Sequence, residues 1–321
     1  MNFVVVENRN YVIENFKTFT DRTRIVIAKH LENSVETNLE DLKILLSDKH
    51  FLVRNLALSH FEKLTQAEIA NLLVDKSASI RMQTLYCLKN KKKFSDLVFL
   101  FLSDISTTIR DFARYSLKHI ISNFSTIYND NLLNNKNIIG SLSGLAETNG
   151  KQFVENLIPF LKDKRVKVRK TAFLALEKLD NSKAYDFALQ NLDSEYIGIR
   201  NVIIEYFLNT GSSDVLPKAR AIYENGSCDL KKSMLKLFSK VGKWITIADI
   251  MIGTIDENEN IRLLSLGYLQ HWRNKATSYF TQPKQGELER ANQMFRFAFE
   301  IHEEKKYFNQ NPLTGIDFYL R

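Results

Sequence analysis

The feature that most constrains this chain is a motif that keeps returning along it. The stretches SDKHFLVRNLAL (47–58), VDKSASIRMQTL (74–85), SDISTTIRDFAR (103–114), KDKRVKVRKTAF (162–173) and IDENENIRLLSL (255–266) share one frame. In each, an aspartate precedes an arginine by six residues, and valine or isoleucine stands just before the arginine. The pairs are Asp48/Arg54, Asp75/Arg81, Asp104/Arg110, Asp163/Arg169 and Asp256/Arg262. Asp193 with Arg200 is a variant one residue longer, and Asn225 with Lys231 is a weaker unit. The arginine slots at 54, 81, 110, 169, 200, 231 and 262 lie 27, 29, 59, 31, 31 and 31 residues apart. The long step spans two periods, so a degenerate unit is expected near 138–140, and another weak unit near Arg24. A period near 30 sustained over most of a chain is the mark of a repeat architecture.

The pattern inside each unit says what repeats. Apolar residues recur at the fourth and seventh positions after the arginine, as in Leu58/Phe61, Leu85/Leu88, Phe173/Leu176, Ile204/Phe207, Leu235/Phe238 and Leu266/Leu269. With the aliphatic residue before the arginine and a frequent alanine three after it (Ala57, Ala113, Ala172), this is an amphipathic helical stripe. A second apolar segment, such as LEDLKILLSD or FVENLIPFLKD, precedes each aspartate. Each unit therefore reads as helix A, a tight turn carrying the aspartate, and helix B. One such pair cannot bury its stripe alone, so the units must stack. Only 4 prolines and 11 glycines in 321 residues agree with helices joined by short turns.

The frame of aliphatic helix A, aspartate turn, Val/Ile-Arg and apolar helix B resembles the HEAT repeat. The similarity is to its short form of roughly 30 residues, also found in phycobilisome-lyase-like proteins, and covers about residues 20–272. It implies an all-α fold, an α-α superhelix of about seven to nine helix pairs. Residues 1–272 would form this solenoid, with 1–34 as an N-terminal cap or degenerate repeat, and 273–321 a capping helix and tail. A turn aspartate can accept from the free N–H groups opening helix B, and the planar fork of the arginine can reach the aspartate of its own or the adjacent repeat. In HEAT proteins such residues form a ladder, and the resemblance implies one here.

Activities known among HEAT-like proteins can be checked against the residues. Deoxyhypusine hydroxylase needs repeated His-Glu pairs for a di-iron centre. Of His30, His50, His60, His119, His271 and His302, only His302 is followed by glutamate, Glu303. HEAT-like DNA glycosylases use concave-surface aromatics with an aspartate, whereas here the two tryptophans, Trp244 and Trp272, are late and Asp111 stands alone in its helix turn. Bilin-lyase chemistry has no motif to support it. There is no GxSxG, Walker, HExxH or GxGxxG signature. Cys87 and Cys228 form no zinc or disulfide pattern, so Cys87 reads as a small core residue, and a reducing, cytoplasmic setting is expected. No signal peptide, membrane span, cofactor or metal is expected.

The expected function is that of a non-enzymatic scaffold or adaptor holding a protein or peptide on its helix-B surface. Candidate contacts are helix-B positions expected to be exposed: Arg114, Tyr115, Lys118, Glu205, Tyr206, Tyr268 and His271. A nucleic-acid-binding solenoid is the alternative. The net charge is +8, and residues 81–120, 151–178 and 218–243 each carry a net +5. Within DKRVKVRK (163–170), removing the frame residues leaves Lys164, Arg165, Lys167 and Lys170 as possible phosphate contacts. The three patches fall on different turns and share no obvious stripe. After Trp272, TSYFTQPKQG reads as a linker and ELERANQMFRFAFEIHEEKKYF as one long helix, with Phe318, Tyr319 and Leu320 either folding back on it or docking elsewhere.

Overall fold

The computed structural model describes residues 9–33, 37–276, 278 and 282–320. Residues 1–8 and 34 of the expected N-terminal cap and residues 277 and 279–281 of the linker after Trp272 lie outside these. Every regular element among the described residues is a helix. The chain divides into two compact units, residues 1–157 and 158–321.

The first unit begins with α1 (Arg9–Glu14) and α2 (Asp21–Glu32), followed by the pairs α3 (Leu39–Leu46) with α4 (Phe51–Leu56), α5 (Gln66–Leu73) with α6 (Ala78–Leu88), and α7 (Phe94–Phe99) with α8 (Thr107–Leu117). Polar caps fix the starts of two of the A helices, α3 and α5. Asn38 with Asp41 and Thr65 with Glu68 form reciprocal capping boxes on α3 and α5. The B helices pack in succession, α2 on α4, α4 on α6 and α6 on α8. The aliphatic residue before each arginine is fully buried (Val53, Ile80, Ile109), as are Ala57 and Ala113 where helices approach closely. Each such Leu, Ile or Phe removed from water contributes about 1.5–3 kcal/mol, and the buried set from Phe16 through Leu31, Leu45 and Leu58 to Ile80 is continuous.

The degenerate unit is a helix pair, α9 (Phe124–Leu133) and α10 (Ile138–Glu147), before the short α11 (Val154–Leu157). Ile139 stands in the aliphatic slot, so the arginine slot falls on Gly140 and the aspartate slot on Asn134. A side chain at 140 has no room: its Cβ would enter the carbonyl of Ser103 and lie 2.9 Å from the Asp104 carbonyl oxygen. Four residues on, a Cβ at Gly144 would collide with the Tyr128 ring. The two glycines thus let α10 pack against backbone on one neighbour and an aromatic ring on the other.

The second unit opens with the 3-10 turn Ile158–Lys162 against α12 (Val166–Leu179). It continues with α13 (Asn181–Gln190) and α14 (Ile197–Thr210), α15 (Leu216–Asn225) and α16 (Cys228–Val241), and α17 (Ile247–Gly253) and α18 (Glu259–Ala276). Here the B helices α12, α14, α16 and α18 pack in succession over a core that includes Phe173, Ile204, Phe207, Leu235, Phe238 and Leu269. The long helix expected after the linker is α19 (Gln285–Lys305), which packs on α17. Buried Asp249 on α17 accepts from both Arg220 and Arg290, the latter reaching across from α19. The tail folds back on this unit: Leu313, Ile316 and Leu320 are buried, the Leu320 carbonyl accepts from Asn292, and Tyr319 meets Trp272 edge-on. Phe318 points to solvent.

Candidate binding surface

Two kinds of residue were singled out by sequence, the Asp–Arg frame and the exposed helix-B positions, and they meet different fates. The frame is built on a constant backbone contact. In six units Nη1 of the arginine donates to the carbonyl of the residue six before it, at 2.5–2.9 Å: Arg54 to Asp48, Arg81 to Asp75, Arg110 to Asp104, Arg169 to Asp163, Arg200 to Ser194 and Arg262 to Asp256. The aspartate side chain in turn accepts from the N–H two residues on, at 2.7–2.9 Å, closing the turn ahead of helix B at 48, 75, 104, 163 and 256.

The rest of each guanidinium points to the next unit. Arg54 donates Nε and Nη2 to both oxygens of Asp75 at 2.7 Å, and Arg81 does the same to Asp104 at 2.8 and 2.6 Å. Arg24 makes the equivalent pair with Asp48, which places the weak N-terminal unit in the same series. Each such rung is a charge-assisted, bidentate contact. Burial pushes the Asp75 carboxyl up, but the Arg54 guanidinium and the Ser77 N–H outweigh it and leave it below the usual carboxylate range.

Where the frame degenerates, the rungs change. With Asn134 turned back onto the Asp130 carbonyl, Arg110 pairs instead with Glu147 at the end of α10, and Arg114 joins the same carboxylate and the Tyr128 hydroxyl. No arginine occupies slot 140, and the Asp163 carboxylate is taken by Arg165, which holds it down to about 2. The Asp193–Arg200 variant needs correction. The backbone contact of Arg200 selects Ser194, the residue six before it, and Asp193 points to solvent. Arg200 then uses Nε on the Ser233 hydroxyl, and Lys231 reaches Asp256 at 2.7 Å. At the end of the series Arg262 lies over the Tyr307 ring, 4.2 Å from its centroid.

Of the helix-B positions expected to be exposed, three are not: Tyr206 is buried, and Arg114 and Tyr268 are half-buried. Tyr206 is 2% exposed: its ring packs edge-on against Phe173 and its hydroxyl donates to Asn181, so it belongs to the core. Arg114 is largely enclosed by Asp111, Tyr128 and Glu147, because Glu147 draws it inward along with Arg110. Glu205 is accessible but paired with Lys240 on the next B helix at 2.5 Å. Tyr115 is 68% exposed on α8 with the Lys118 ammonium 4.2 Å from its ring centroid. One turn earlier Phe112 meets exposed Tyr86 of α6 edge-on at 4.9 Å. Tyr86, Phe112, Tyr115 and Lys118 therefore make one aromatic and cationic strip across two adjacent B helices, which the periodicity of the sequence hinted at through Tyr86 and Tyr115. In the second unit Tyr268 and exposed His271 line a cleft of about 190 Å³ with Lys240, Lys243, Trp272 and Lys275.

The possible phosphate contacts are dispersed in role. Lys164 and Lys167 are exposed, Lys170 is half-buried near Gly198, and Arg165 is committed to Asp163. Of the two valines in the same run, Val166 is 42% exposed, whereas Val168 is buried. Among the described residues no three His, Cys, Asp or Glu side chains gather as metal ligands would, and no helix is long and apolar enough to cross a membrane. His60 contacts the Leu31 carbonyl, His119 is exposed, and His302 is buried against Thr254. Burial pushes the Cys87 thiol up, away from a reactive thiolate.

No protein-family model matches the chain, and no curated protein matches it. Among solved structures, an engineered protein from a structural genomics consortium aligns with 95% of this chain and 96% of its own, at 10% identity and a TM-score of 0.37. A likeness that slight carries no argument.

Proposed function

We propose that the chain is a HEAT-like α-solenoid that works as a non-catalytic scaffold, holding a protein or peptide partner on the exposed side of its B helices. The observation that carries this reading is the strip of Tyr86, Phe112, Tyr115 and Lys118. Exposed tyrosines standing out from rigid helices are among the residue types that dominate binding energy at protein interfaces, and aromatic residues in general are enriched there. The rungs support the same reading, since they consume the charged residues of the turns in holding repeats together and leave the B-helix surface for recognition. A photo-crosslinking residue placed at position 115 should capture the partner from its native cell, whereas one at Ala67, exposed on helix A of the preceding unit, should not. Equal capture from both positions, or a partner whose affinity is untouched by Tyr115→Ala with Lys118→Glu, would sink the assignment.

A further inference from the structure

One rung of the ladder is open. Arg169 is 4% exposed and its Nη1 is bonded to the Asp163 carbonyl, yet Nε and Nη2 are buried without a hydrogen-bond partner. This is the edge with which Arg24, Arg54 and Arg81 each grip both oxygens of the next aspartate. In the turn that follows Arg169 the aspartate slot holds Ser194. Its hydroxyl accepts the Tyr196 N–H at 3.4 Å, as an aspartate oxygen does elsewhere, but offers Arg169 nothing. An unmet buried guanidinium edge is costly, and water-sized neglect of it is unusual in a folded protein.

The surroundings suit an acid. The Tyr196 ring lies over the guanidinium face, 3.8 Å from centroid to carbon, and is itself half exposed, so its side chain can swing aside into solvent. The Lys170 ammonium lies beside Gly198 in the first turn of α14, 3.7 Å from where a Cβ would stand. Lys164 and Lys167 are exposed around the preceding turn, where the Asp163 carboxylate is held by Arg165, and Asp193 and Glu195 of the following turn point to solvent. The edge offers the donor geometry of one carboxylate, because the same edge holds a carboxylate elsewhere in the chain.

We propose that the Arg169 edge receives a single carboxylate from an acidic peptide, entering by displacement of Tyr196 and completing the missing rung in trans. Nε–H and Nη2–H each donate to one oxygen, and Lys164, Lys167 and Lys170 attract the flanking acidic residues. This site is on the turn side, so it stands or falls separately from the B-helix surface.

The test uses the full chain with a fluorescent, N-acetylated penta-glutamate peptide as probe, followed by polarisation. Ser194→Asp should fill the edge from within, weakening the probe about tenfold or more, the loss expected for a charge-assisted pair, while raising the melting temperature. Arg169→Gln should weaken it as much, and Lys164→Ala with Lys167→Ala by only a few-fold. Because Ser194→Asp is expected to stabilise the fold, loss of binding in it cannot be laid to unfolding. Undiminished binding by Ser194→Asp would place the peptide on the lysines alone and overturn the proposal. So would displacement of the probe by millimolar acetate or inorganic phosphate, which makes the site one for free ions, or by oligo-dT at equal concentration, which makes it one for nucleic acid.

Discussion

Gly140→Ala puts the degenerate unit to its sharpest test. Position 140 is the arginine slot of that unit, yet the Ser103 carbonyl fills the space a side chain needs, with the Asp104 carbonyl oxygen 2.9 Å from the added carbon. Ordinary carbon–oxygen contacts are about 3.3–3.6 Å, so α10 must retreat by about 1 Å or more. Both obstacles are backbone, so no rotamer change relieves them. The retreat also strains the bonds that Asn131 and Ser141 make to the Ser103 hydroxyl, and the grip of Glu147 on Arg110. Overpacking costs about 1–3 kcal/mol and each weakened bond about 1 kcal/mol, against a helix-propensity gain of about 1 kcal/mol for alanine. The net loss of about 3–5 kcal/mol corresponds to a fall in melting temperature of about 6–15 °C. Gly267→Ala on α18, where nothing lies within 4 Å of an added Cβ, should instead gain up to about 1 kcal/mol. Thermal and urea melts of the two variants in parallel decide the matter. A Gly140→Ala protein as stable as the parent would refute the close approach of α10 to the 103–104 turn.

Two further outcomes concern the C-terminal region. Burial, with Arg262 adding to it against a smaller opposing pull from Glu303, lowers the His302 pKa below its ordinary value of about 6.5. The folded chain therefore holds this histidine neutral where the unfolded chain takes up a proton. Its contribution is full above about pH 6.5 and is lost as pH falls below it; melts between pH 7.5 and 5.5 should show the decline, and His302→Gln should flatten it. Arg290→Met removes one of two arginines on buried Asp249, and hydrogen exchange across 285–305 should rise while exchange in α12 stays unchanged.

The frame itself could be read from sequence because a six-residue spacing between a turn acid and a helix arginine is a local regularity, and the structure turns it into a local contact, Nη1 to the carbonyl. The rungs are another matter, since each joins residues 21–37 apart whose pairing depends on which backbone atom fixes the register. Asp193 illustrates the difficulty: spacing in the sequence admits a seven-residue variant, but the carbonyl contact admits only Ser194. Glu147 illustrates it from the other side, since nothing in the sequence marks it as the acid that replaces Asn134. Tyr206 differs from the exposed Tyr86 and Tyr115 because it stands six residues after its arginine where they stand five after theirs; that one-residue step turns the side chain by about 100°, inward to where Asn181 offers its hydroxyl a partner. The grip of Arg290 and Arg220 on Asp249 spans the linker and has no periodic signal at all.

The central claim is that arginines of one unit hold the next through a buried carboxylate, and Arg81 with Asp104 offers the most direct measurement. A double-mutant cycle of Arg81→Met and Asp104→Ala, followed by urea unfolding, isolates their coupling. Removing Arg81 alone leaves a buried carboxylate with only the Ser106 N–H and should cost about 3–5 kcal/mol. Removing both should cost less than the sum of the two single losses by more than about 1 kcal/mol. Single losses that add to within about 0.5 kcal/mol would contradict the ladder.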